Sequence, residues 1–252
     1  MMPKFFLILT ISKQTINWKK KVAIITGASE GLGKAISIKL ASKKYITVLA
    51  SRDKKKLQNT SSDISKVNGE YFIIPTDVTS EKNVKTLFSK ASKLGKIELL
   101  INNAGVGTFN KVEEIKLKEW KKMIDVNLTG SFLCSKEAII IMKKQKYGHI
   151  LFLNSLSGKR VLPWGSGYSA SKYGLKGFAD TIRLELRKFN IKVTSIYPGS
   201  IDSTWWDKMN VDFPRSKMLN LDDVVDVIYN SISYKGRTVI EEVDLRQVGG
   251  DF

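Results

Sequence analysis

Short apolar runs alternate with longer helical stretches from Lys21 onward, and this alternation constrains the fold more than any other feature of the chain. The apolar runs have the length of buried strands, and the stretches between them have the length of amphipathic helices. Strands that alternate with helices form βαβ units, which build a parallel sheet covered by helices on both faces. The sequence therefore predicts a doubly wound α/β fold around a mostly parallel, seven-stranded sheet.

The approximate bounds of these elements follow from the apolar pattern and from capping residues. The strands are predicted at residues 22–26, 46–50, 71–74, 99–101, 150–153, 193–196 and 238–241. The helices are predicted near residues 32–42, 53–66, 84–94, 120–144, 168–189 and 221–233. No repeat or Pro/Gly-rich linker divides the chain, so residues 21–252 are expected to form one domain that includes a substrate loop at 200–220.

Residues 1–20 precede this pattern and are expected to form a loosely ordered extension. Their apolar segment, residues 5–9 with Ile11, is far shorter than the roughly 20 residues that span a bilayer. It also lacks the longer apolar stretch and the small-residue cleavage site of a secretory signal. The sequence therefore predicts neither membrane insertion nor export.

The formal net charge of +18 raises the question of nucleic-acid binding. Of the 42 basic residues only 7 are arginines, and the lysines are scattered along the whole chain in runs of at most three, at 19–21 and 54–56. Proteins that bind nucleic acids concentrate basic residues in one patch. A lysine-rich solvated surface is therefore the better interpretation, and no nucleic-acid partner is expected.

Cys134 is the only cysteine of the chain. An intramolecular disulfide and a Cys-rich zinc site are therefore excluded, and no metal is expected. A single cysteine fits a protein of the reducing cytoplasm.

A glycine-rich turn, TGASEGLG at residues 26–33, connects the first predicted strand to the first predicted helix. Glycines in such a turn let backbone N–H groups approach a pyrophosphate, and the helix N-terminus faces the phosphate charge. The spacing is G-x3-G-x-G and so differs from the general G-x-G-x-x-G fingerprint. The turn favours a dinucleotide site, and a plain tight turn remains the alternative from these residues alone.

The same turn contains G-x-S-x-G, the nucleophile elbow of α/β hydrolases, with Ser29 as the nucleophile. A nucleophile strand normally lies within a sheet already begun, whereas this strand is the first of the chain. The triad would also need His149, the only histidine, which lies at the start of a predicted strand. A serine hydrolase is therefore the weaker alternative.

Ser155, Tyr168 and Lys172 form the most informative constellation. Tyr168 and Lys172 are four residues apart and share one face of a predicted helix, and Ser155 follows a predicted strand. A phenol with a pKa near 10 acts as an acid/base at neutral pH only where a cation stabilises its phenolate. Lys172 supplies that cation, and the Ser155 hydroxyl can hold a substrate carbonyl.

With these residues in place, the sequence resembles the short-chain dehydrogenase/reductase family from about Lys21 to the C-terminus. The matching motifs are TGASEGLG at 26–33, Asp77-Val78, NNAG at 102–105, Asn127 in DVNLTG, Ser155, YSASK at 168–172 and Pro198-Gly199. The resemblance implies a Rossmann-type fold and an NAD(P)H-dependent oxidoreductase that interconverts a carbonyl and a secondary alcohol. A non-catalytic nucleotide-binding scaffold of the same fold is the alternative, but it would be expected to lose Tyr168 or Lys172.

The resemblance also implies a role for each site residue. Tyr168 would be the catalytic acid/base and Ser155 would orient the carbonyl. Asn127 would hold a water that links Lys172 to solvent. The implied cofactor-binding residues are Thr26, Gly27, Ser29, Gly31, Leu32, Gly33, Ser51, Arg52, Asp77, Val78, Asn103, Ala104, Gly105, Tyr168, Lys172, Pro198, Gly199, Ile201 and Ser203.

The residues after the second predicted strand favour NADP(H) over NAD(H). NAD-preferring relatives carry an acidic residue there to bind the 2′-hydroxyl of the adenosine ribose. This chain carries Ser51 and then Arg52, whose guanidinium can bind a 2′-phosphate. Glu30 and Asp53 argue in the opposite direction, and NAD(H) stays open as the second cofactor.

The sequence predicts a small-molecule carbonyl or alcohol as substrate without identifying it. Residues 200–220 include Trp205, Trp206, Met209, Phe213 and Met218, which suit an apolar or ring-bearing substrate or simply pack under a loop. Many 3-oxoacyl-carrier reductases share these motifs, but residues 241–252 do not resemble their usual ending.

A homodimer or homotetramer is expected, since the predicted helices at 120–144 and 168–189 carry apolar residues on more than one face. In the family these two helices form the dimer interface. The apolar residues are Ile139, Ile140, Ile141 and Met142 on the first helix and Phe178, Ala179 and Ile182 on the second.

Overall fold

The computed structural model describes residues 20–208 and 214–250. Within these residues, seven parallel strands form one sheet in the order β3-β2-β1-β4-β5-β6-β7. The strands are β1 (Lys21–Thr26), β2 (Ile46–Ala50), β3 (Tyr71–Ile73), β4 (Lys96–Asn102), β5 (Gly148–Leu153), β6 (Ile191–Pro198) and β7 (Glu242–Leu245). The helices are α1 (Gly31–Ser42), α2 (Lys54–Lys66), α3 (Glu81–Ala91), α4 (Leu117–Met123), α5 (Gly130–Gln145), α6 (Ser166–Leu186) and α7 (Leu221–Ser233). The predicted doubly wound fold is confirmed.

Helices cover both faces of the sheet, and each face has its own apolar cluster. Val22 and Ile24 of β1 pack with residues of α3, α5 and α6, whereas Ala23 and Ile25 pack with residues of α1, α2 and α7. Successive residues of a strand point to opposite faces, so a strand covered on both sides is apolar throughout. This explains why the strands are continuous apolar runs in the sequence.

The chain reverses its direction of winding between β1 and β4. β2 and β3 continue the sheet on one side of β1, and β4 to β7 continue it on the other. The loops after β1 and β4 therefore separate and leave a crevice at the carboxyl ends of the strands, where doubly wound proteins bind ligands. The glycine-rich turn lies at this crevice.

The helix predicted at 120–144 is helical throughout, but it contains one π-helical segment. α4 leads into the segment Ile124–Thr129, which leads into α5. Asn127 lies in the π-helical segment, and its side chain bonds the loop after β4 rather than solvent. Such π-helical turns occur often at functional sites.

The last strand was predicted at residues 238–241, and this prediction is wrong because β7 begins at Glu242. The apolar pair Val239-Ile240 favoured the earlier position, whereas β7 alternates charged and apolar residues. Lys159 neutralises both carboxylates, with its Nζ atom 2.8 Å from Glu242 Oε2 and 2.6 Å from Asp244 Oδ1. An edge strand can carry such charges on its open side.

Several residues expected at an oligomer interface belong to the core instead. Met142, Ala179 and Ile182 are buried in the cluster under α5 and α6, and Ile139, Ile141 and Phe178 pack against it. Ile140 alone of this set is exposed. The apolar side chains exposed on these two helices are Phe132, Ile140, Tyr173 and Leu184.

The expected N-terminal extension at 1–20 lies outside the described residues except for Lys20. Its carbonyl oxygen accepts a hydrogen bond of 2.9 Å from the N–H of Lys96, at the start of β4. Of the described residues, no helix is long and apolar enough to cross a membrane.

Candidate active site

A cleft of about 1550 Å³ runs along the carboxyl ends of the strands. It is lined by every residue expected at the site except Thr26 and Asn127. These lining residues are Gly27, Ser29, Gly31, Leu32, Gly33, Ser51, Arg52, Asp77, Val78, Asn103, Ala104, Gly105, Ser155, Tyr168, Lys172, Pro198, Gly199, Ile201 and Ser203. The structure thus brings the glycine-rich turn and the Ser-Tyr-Lys constellation into one continuous cavity.

The glycine-rich turn forms one end of the cleft. Gly27 and Gly31 have φ angles of 66° and 52°, in the left-handed region that glycine adopts without strain. A Cβ atom at Gly33 would overlap the carbonyl oxygen of Gly27, so only glycine allows α1 to begin this close to β1. Glu30 precedes α1 and makes no side-chain capping bond. The N–H groups of the first turn of α1 are therefore available for an anion.

Thr26 lies below the turn and holds it rather than lining the cleft. Its hydroxyl donates to the carbonyl oxygen of Ile101 and accepts from the N–H groups of Asn103 and Ala104, at 3.2, 3.0 and 3.1 Å. The Asn103 side chain donates to the carbonyl oxygens of Thr26 and Gly27, at 2.9 and 3.1 Å. The NNAG segment after β4 and the glycine-rich turn after β1 are thus fixed to each other.

Ser51 and Arg52 line the cleft beyond the end of β2. Among the described residues, the buried Ser51 Oγ atom has no hydrogen-bond partner. The two acidic residues that argued against NADP(H) are both engaged by Lys56. Asp53 caps α2 and accepts from the N–H of Lys56 at 3.0 Å, and Glu30 pairs with the Lys56 ammonium at 2.8 Å.

Two further charged residues lie near this end of the cleft. Lys34 of α1 pairs with Asp63, with 2.6 Å between the ammonium and the carboxylate oxygen, and does not line the cleft. Burial raises the pKa of Asp77, but hydrogen bonds from Thr79 and the charge of Arg52 outweigh it, so the pKa lies below its ordinary value. Asp77 is therefore a carboxylate whose charge Arg52 partly offsets.

Ser155, Tyr168 and Lys172 meet at the other end of the cleft. β5 carries Ser155 just past its last residue, and α6 carries the other two on one face. Ser155 is hydrogen-bonded to the Tyr168 phenol. The Lys172 Nζ atom lies 5.6 Å from the centre of the Tyr168 ring and donates to the carbonyl oxygen of Leu153 at 2.8 Å.

Burial changes the acidity of both titratable groups in this trio. It raises the pKa of Tyr168 to about 12, and the hydrogen bond with Ser155 opposes that rise. Burial lowers the pKa of Lys172 to about 8, because the ammonium loses its hydration. Lys172 is therefore a cation that can lose its proton near neutral pH, beside a phenol that needs that cation to ionise.

Asn127 lies behind the trio and connects two segments of the site. Its amide N–H₂ donates to the carbonyl oxygen of Val106 and to Ser171 Oγ, both at 2.9 Å, and its Oδ1 atom accepts from the Val106 N–H at 2.8 Å. Ser171 in turn donates to the carbonyl oxygen of Tyr168 at 2.7 Å. Asn127 thus ties the loop after β4 to the helix that carries Tyr168.

The serine hydrolase alternative finds no base for Ser29. The His149 Nε2 atom lies 2.7 Å from Thr194 Oγ1, between β5 and β6. Burial lowers the pKa of His149 to about 3, so its imidazole stays neutral in the sheet. Ser29 lies on the glycine-rich turn, and His149 does not line the cleft.

Several lining residues were missed by the sequence reasoning. They include Phe109 and Leu117, from the loop after β4 and the start of α4, Val161 and Leu162, from the loop after β5, and Gln247, just past β7. Among the described residues, the buried Gln247 Oε1 atom has no hydrogen-bond partner. The position of these loops at the carboxyl edge of the sheet is the one signal that could have identified the first four.

No group of three or more His, Cys, Asp or Glu side chains that could hold a metal ion occurs in the described part of the chain.

The chain is similar to known oxidoreductases over most of its length. Residues 21–212 match the family model described as short chain dehydrogenase. The sepiapterin reductase of Chlorobaculum tepidum is 29% identical over 92% of this chain and 98% of its own length. An uncharacterized oxidoreductase of Staphylococcus aureus strain USA300 is 32% identical over 90% of this chain and 97% of its own length.

Solved structures give the same result. The alcohol dehydrogenase of the archaeon Thermococcus sibiricus, complexed with 5-hydroxy-NADP, superimposes with a TM-score of 0.83 at 28% identity, over 91% of this chain and 97% of that one. A metagenomic short-chain oxidoreductase in complex with NADP gives a TM-score of 0.80 at 31% identity, over 90% and 97% of the two chains. With these relatives and this site, the chain belongs to the short-chain dehydrogenase family of oxidoreductases.

Proposed function

We propose that the protein is an NADP(H)-dependent oxidoreductase that interconverts a carbonyl and a secondary alcohol, with Tyr168 as the acid/base. The observation that carries the proposal is one cleft that has the glycine-rich turn at one end and, at the other, Tyr168 hydrogen-bonded to Ser155 with Lys172 beside it. The first end suits a dinucleotide phosphate, and the second suits a proton transfer to oxygen.

The residues of the cleft fit a dinucleotide along its length. The first turn of α1 would bind the pyrophosphate, and Ser51 with Arg52 would bind the substituent at the 2′ position of the adenosine ribose. Pro198 and Gly199 lie at the end of β6, beside the end of β5 that carries Ser155, so they would flank the nicotinamide. When bound there, the nicotinamide supplies the hydride at C4.

The proton transfer follows from the geometry of the trio. Ser155 donates a hydrogen bond that places the carbonyl oxygen next to Tyr168, and Tyr168 gives its phenolic proton to that oxygen. The Lys172 ammonium stabilises the phenolate that remains. Asn127 holds the Tyr168 helix in position, and we propose that it also orders a water that returns the proton from solvent.

The sequence leaves two alternatives open, NAD(H) as the cofactor and a non-catalytic nucleotide-binding scaffold. The relatives and the site count against both. The metagenomic relative is complexed with NADP and the archaeal dehydrogenase with 5-hydroxy-NADP, which supports NADP(H) rather than NAD(H) here. A nucleotide-binding scaffold has no use for a buried lysine beside a phenol that lines the cleft, because burying a cation costs free energy. The single cysteine favours a cytoplasmic location.

A panel of carbonyl compounds tests the proposal directly. Purified protein is mixed with NADPH and each compound in turn, sepiapterin and simple ketones among them, and the loss of NADPH absorbance is followed. Turnover of at least one compound that depends on the protein is the expected result. No turnover with any compound, although NADPH binds, would favour the scaffold alternative.

The pKa of Lys172 gives a prediction about pH. Below about pH 8 the ammonium is present and stabilises the Tyr168 phenolate, and above it the cation is lost. We therefore expect kcat/KM for carbonyl reduction to fall as the pH rises above about 8. Initial rates at substrate concentrations far below KM, from pH 6 to pH 10, measure this. A constant kcat/KM up to pH 10 would contradict the role given to Lys172.

A homodimer or homotetramer is proposed from the exposed apolar side chains of α5 and α6. Leu184 is 65% exposed and Ile140 is 46% exposed, and both lie outside the core. Apolar side chains that form a contiguous surface patch often mark an interface, and we propose that those of α5 and α6 form such a patch between copies of the chain. Sedimentation at micromolar concentration is expected to show an oligomer, and Leu184→Glu is expected to shift it toward the monomer. A monomeric unaltered protein would overturn this proposal.

A further inference from the structure

Three aromatic rings meet at the mouth of the proposed catalytic site. The Phe109 ring centre lies 5.5 Å from that of Tyr168, and the Trp205 ring centre lies 6.2 Å from both. Both Phe109 and Trp205 line the cleft. Any substrate whose carbonyl reaches the Tyr168 hydroxyl must therefore place its adjoining atoms against aromatic surface.

The Trp205 indole is held in this position by its surroundings. Gly107 gives it room, because a Cβ atom there would lie 2.9 Å from Trp205 Cζ2 and 3.2 Å from Tyr168 Cδ2. The neighbouring Trp206 packs edge-on at 4.9 Å between ring centres and donates from Nε1 to the carbonyl oxygen of Ile201 at 3.0 Å. Trp205 is thus a fixed wall of the cleft rather than a side chain on a free loop.

The start of the substrate loop also meets the glycine-rich turn. A Cβ atom at Gly31 would lie 3.7 Å from Ser203 Cβ and 3.7 Å from Thr204 Oγ1. The segment that carries Trp205 therefore spans the cleft from the proposed phosphate site to Tyr168. The Phe109 and Trp205 rings meet edge to face, with 86° between their planes, so they form one aromatic surface beside the phenol.

Such an aromatic surface favours aromatic groups on a substrate. Aromatic rings attract each other in offset and edge-to-face arrangements, by an amount equal to roughly 2- to 10-fold in affinity per ring pair beyond the area buried. A saturated ring of the same carbon count gains no such interaction. The aromatic surface thus distinguishes aromatic substrates from saturated ones.

We propose that the substrate carbonyl is attached directly to a planar aromatic ring, and that Phe109 and Trp205 determine this specificity. The protein would reduce aryl ketones and aryl aldehydes in preference to aliphatic ones. This proposal rests on the proposed carbonyl reductase function and names its substrate class.

A matched pair of ketones tests the proposal. Acetophenone and cyclohexyl methyl ketone have the same number of carbon atoms and the same methyl carbonyl, but only the first has a flat ring. With NADPH, kcat/KM for acetophenone is expected to exceed that for the cyclohexyl ketone by about tenfold or more. Equal values, or a preference for the cyclohexyl ketone, would overturn the proposal but leave the reductase function intact.

Three variants locate the cause of the preference. Trp205→Leu removes the indole ring, and Gly107→Ala displaces the indole without changing its chemistry. Each substitution is therefore expected to lower the ratio of kcat/KM for acetophenone to kcat/KM for cyclohexyl methyl ketone at least fivefold. Trp164→Leu is the control, because Trp164 is 62% exposed and does not line the cleft. A ratio that survives both Trp205→Leu and Gly107→Ala in folded protein would overturn the role of Trp205.

Binding gives a readout that does not depend on turnover. Acetophenone is expected to quench the indole fluorescence of the protein in the presence of NADP⁺, and Trp205→Leu is expected to remove most of that quenching. Absence of NADPH oxidation with both ketones, together with absence of quenching, would count against the reductase function and the proposal alike.

Discussion

Replacement of Tyr168 with phenylalanine is expected to lower kcat for carbonyl reduction by roughly 10²- to 10⁴-fold, the usual contribution of a positioned acid/base. The substitution removes only the phenolic hydroxyl, which is the proton donor and the partner of Ser155. The aromatic ring and its contacts with Phe109 and Trp205 remain. NADPH affinity is therefore expected to stay close to that of the unaltered protein.

Tyr173→Phe is the matched control for this experiment. Tyr173 lies on the same helix but does not line the cleft, and its side chain is half-exposed. Its hydroxyl should be dispensable for turnover. Steady-state rates and fluorescence titrations with NADPH measure both effects. A Tyr168→Phe enzyme whose kcat stays within about tenfold of the unaltered protein would exclude Tyr168 as the acid.

Replacement of Arg52 with alanine is expected to weaken NADPH binding by roughly 10- to 100-fold and to leave NADH binding almost unchanged. Hydrogen bonds to a charged group contribute energies of this size, and only NADPH carries the 2′-phosphate that would accept them. Glu30 is paired with the Lys56 ammonium, and Asp53 caps α2 through the Lys56 N–H.

The control for Arg52→Ala is Lys55→Ala, which removes one positive charge from the adjoining helix without changing the lining of the cleft. Lys55→Ala should change the binding of NADPH and of NADH only slightly. Dissociation constants from fluorescence, and kcat/KM with each cofactor, measure the preference. An unaltered enzyme with kcat/KM as high for NADH as for NADPH would contradict the proposed preference.

The sequence predicted the fold well because its strands are buried on both faces. Four successive residues of β1 are fully buried, namely Val22, Ala23, Ile24 and Ile25. The strand is therefore a continuous apolar run that can be recognised without knowledge of the surrounding loops. The edge strand β7 was misplaced for the opposite reason. Its charges are compensated by Lys159, which is more than 80 residues away in the sequence and could not be identified as its neighbour from the pattern.

The positions of the candidate site residues were predictable where they depend on local spacing. Tyr168 and Lys172 are one helical turn apart, and the glycine-rich turn follows directly from the first strand. Phe109, Trp205 and Gly107 come together only through the packing of separate loops. The hydrogen bonds of Thr26 and Asn127 could not be predicted from the sequence either, because their partners, Ile101 and Val106, are distant in the chain.

The distribution of the apolar residues on α5 and α6 shows a second limit of sequence patterns. Met142 and Ala179 look like interface residues in the sequence, but they complete the core between the helices and the sheet. A helix that covers a sheet and also meets a partner is apolar on two faces. Periodicity alone does not tell which of the two faces is which.

The transfer of deuterium from NADPH to a carbonyl carbon tests the central claim most directly. NADPH carrying deuterium at both positions of C4 of the nicotinamide is incubated with the protein and acetophenone, or with the best substrate of the carbonyl panel. Mass spectrometry of the alcohol is expected to show one deuterium at the carbinol carbon, and Tyr168→Phe is expected to suppress its formation. An alcohol without deuterium, or NADPH oxidation without any alcohol, would contradict hydride transfer to a carbonyl in this cleft.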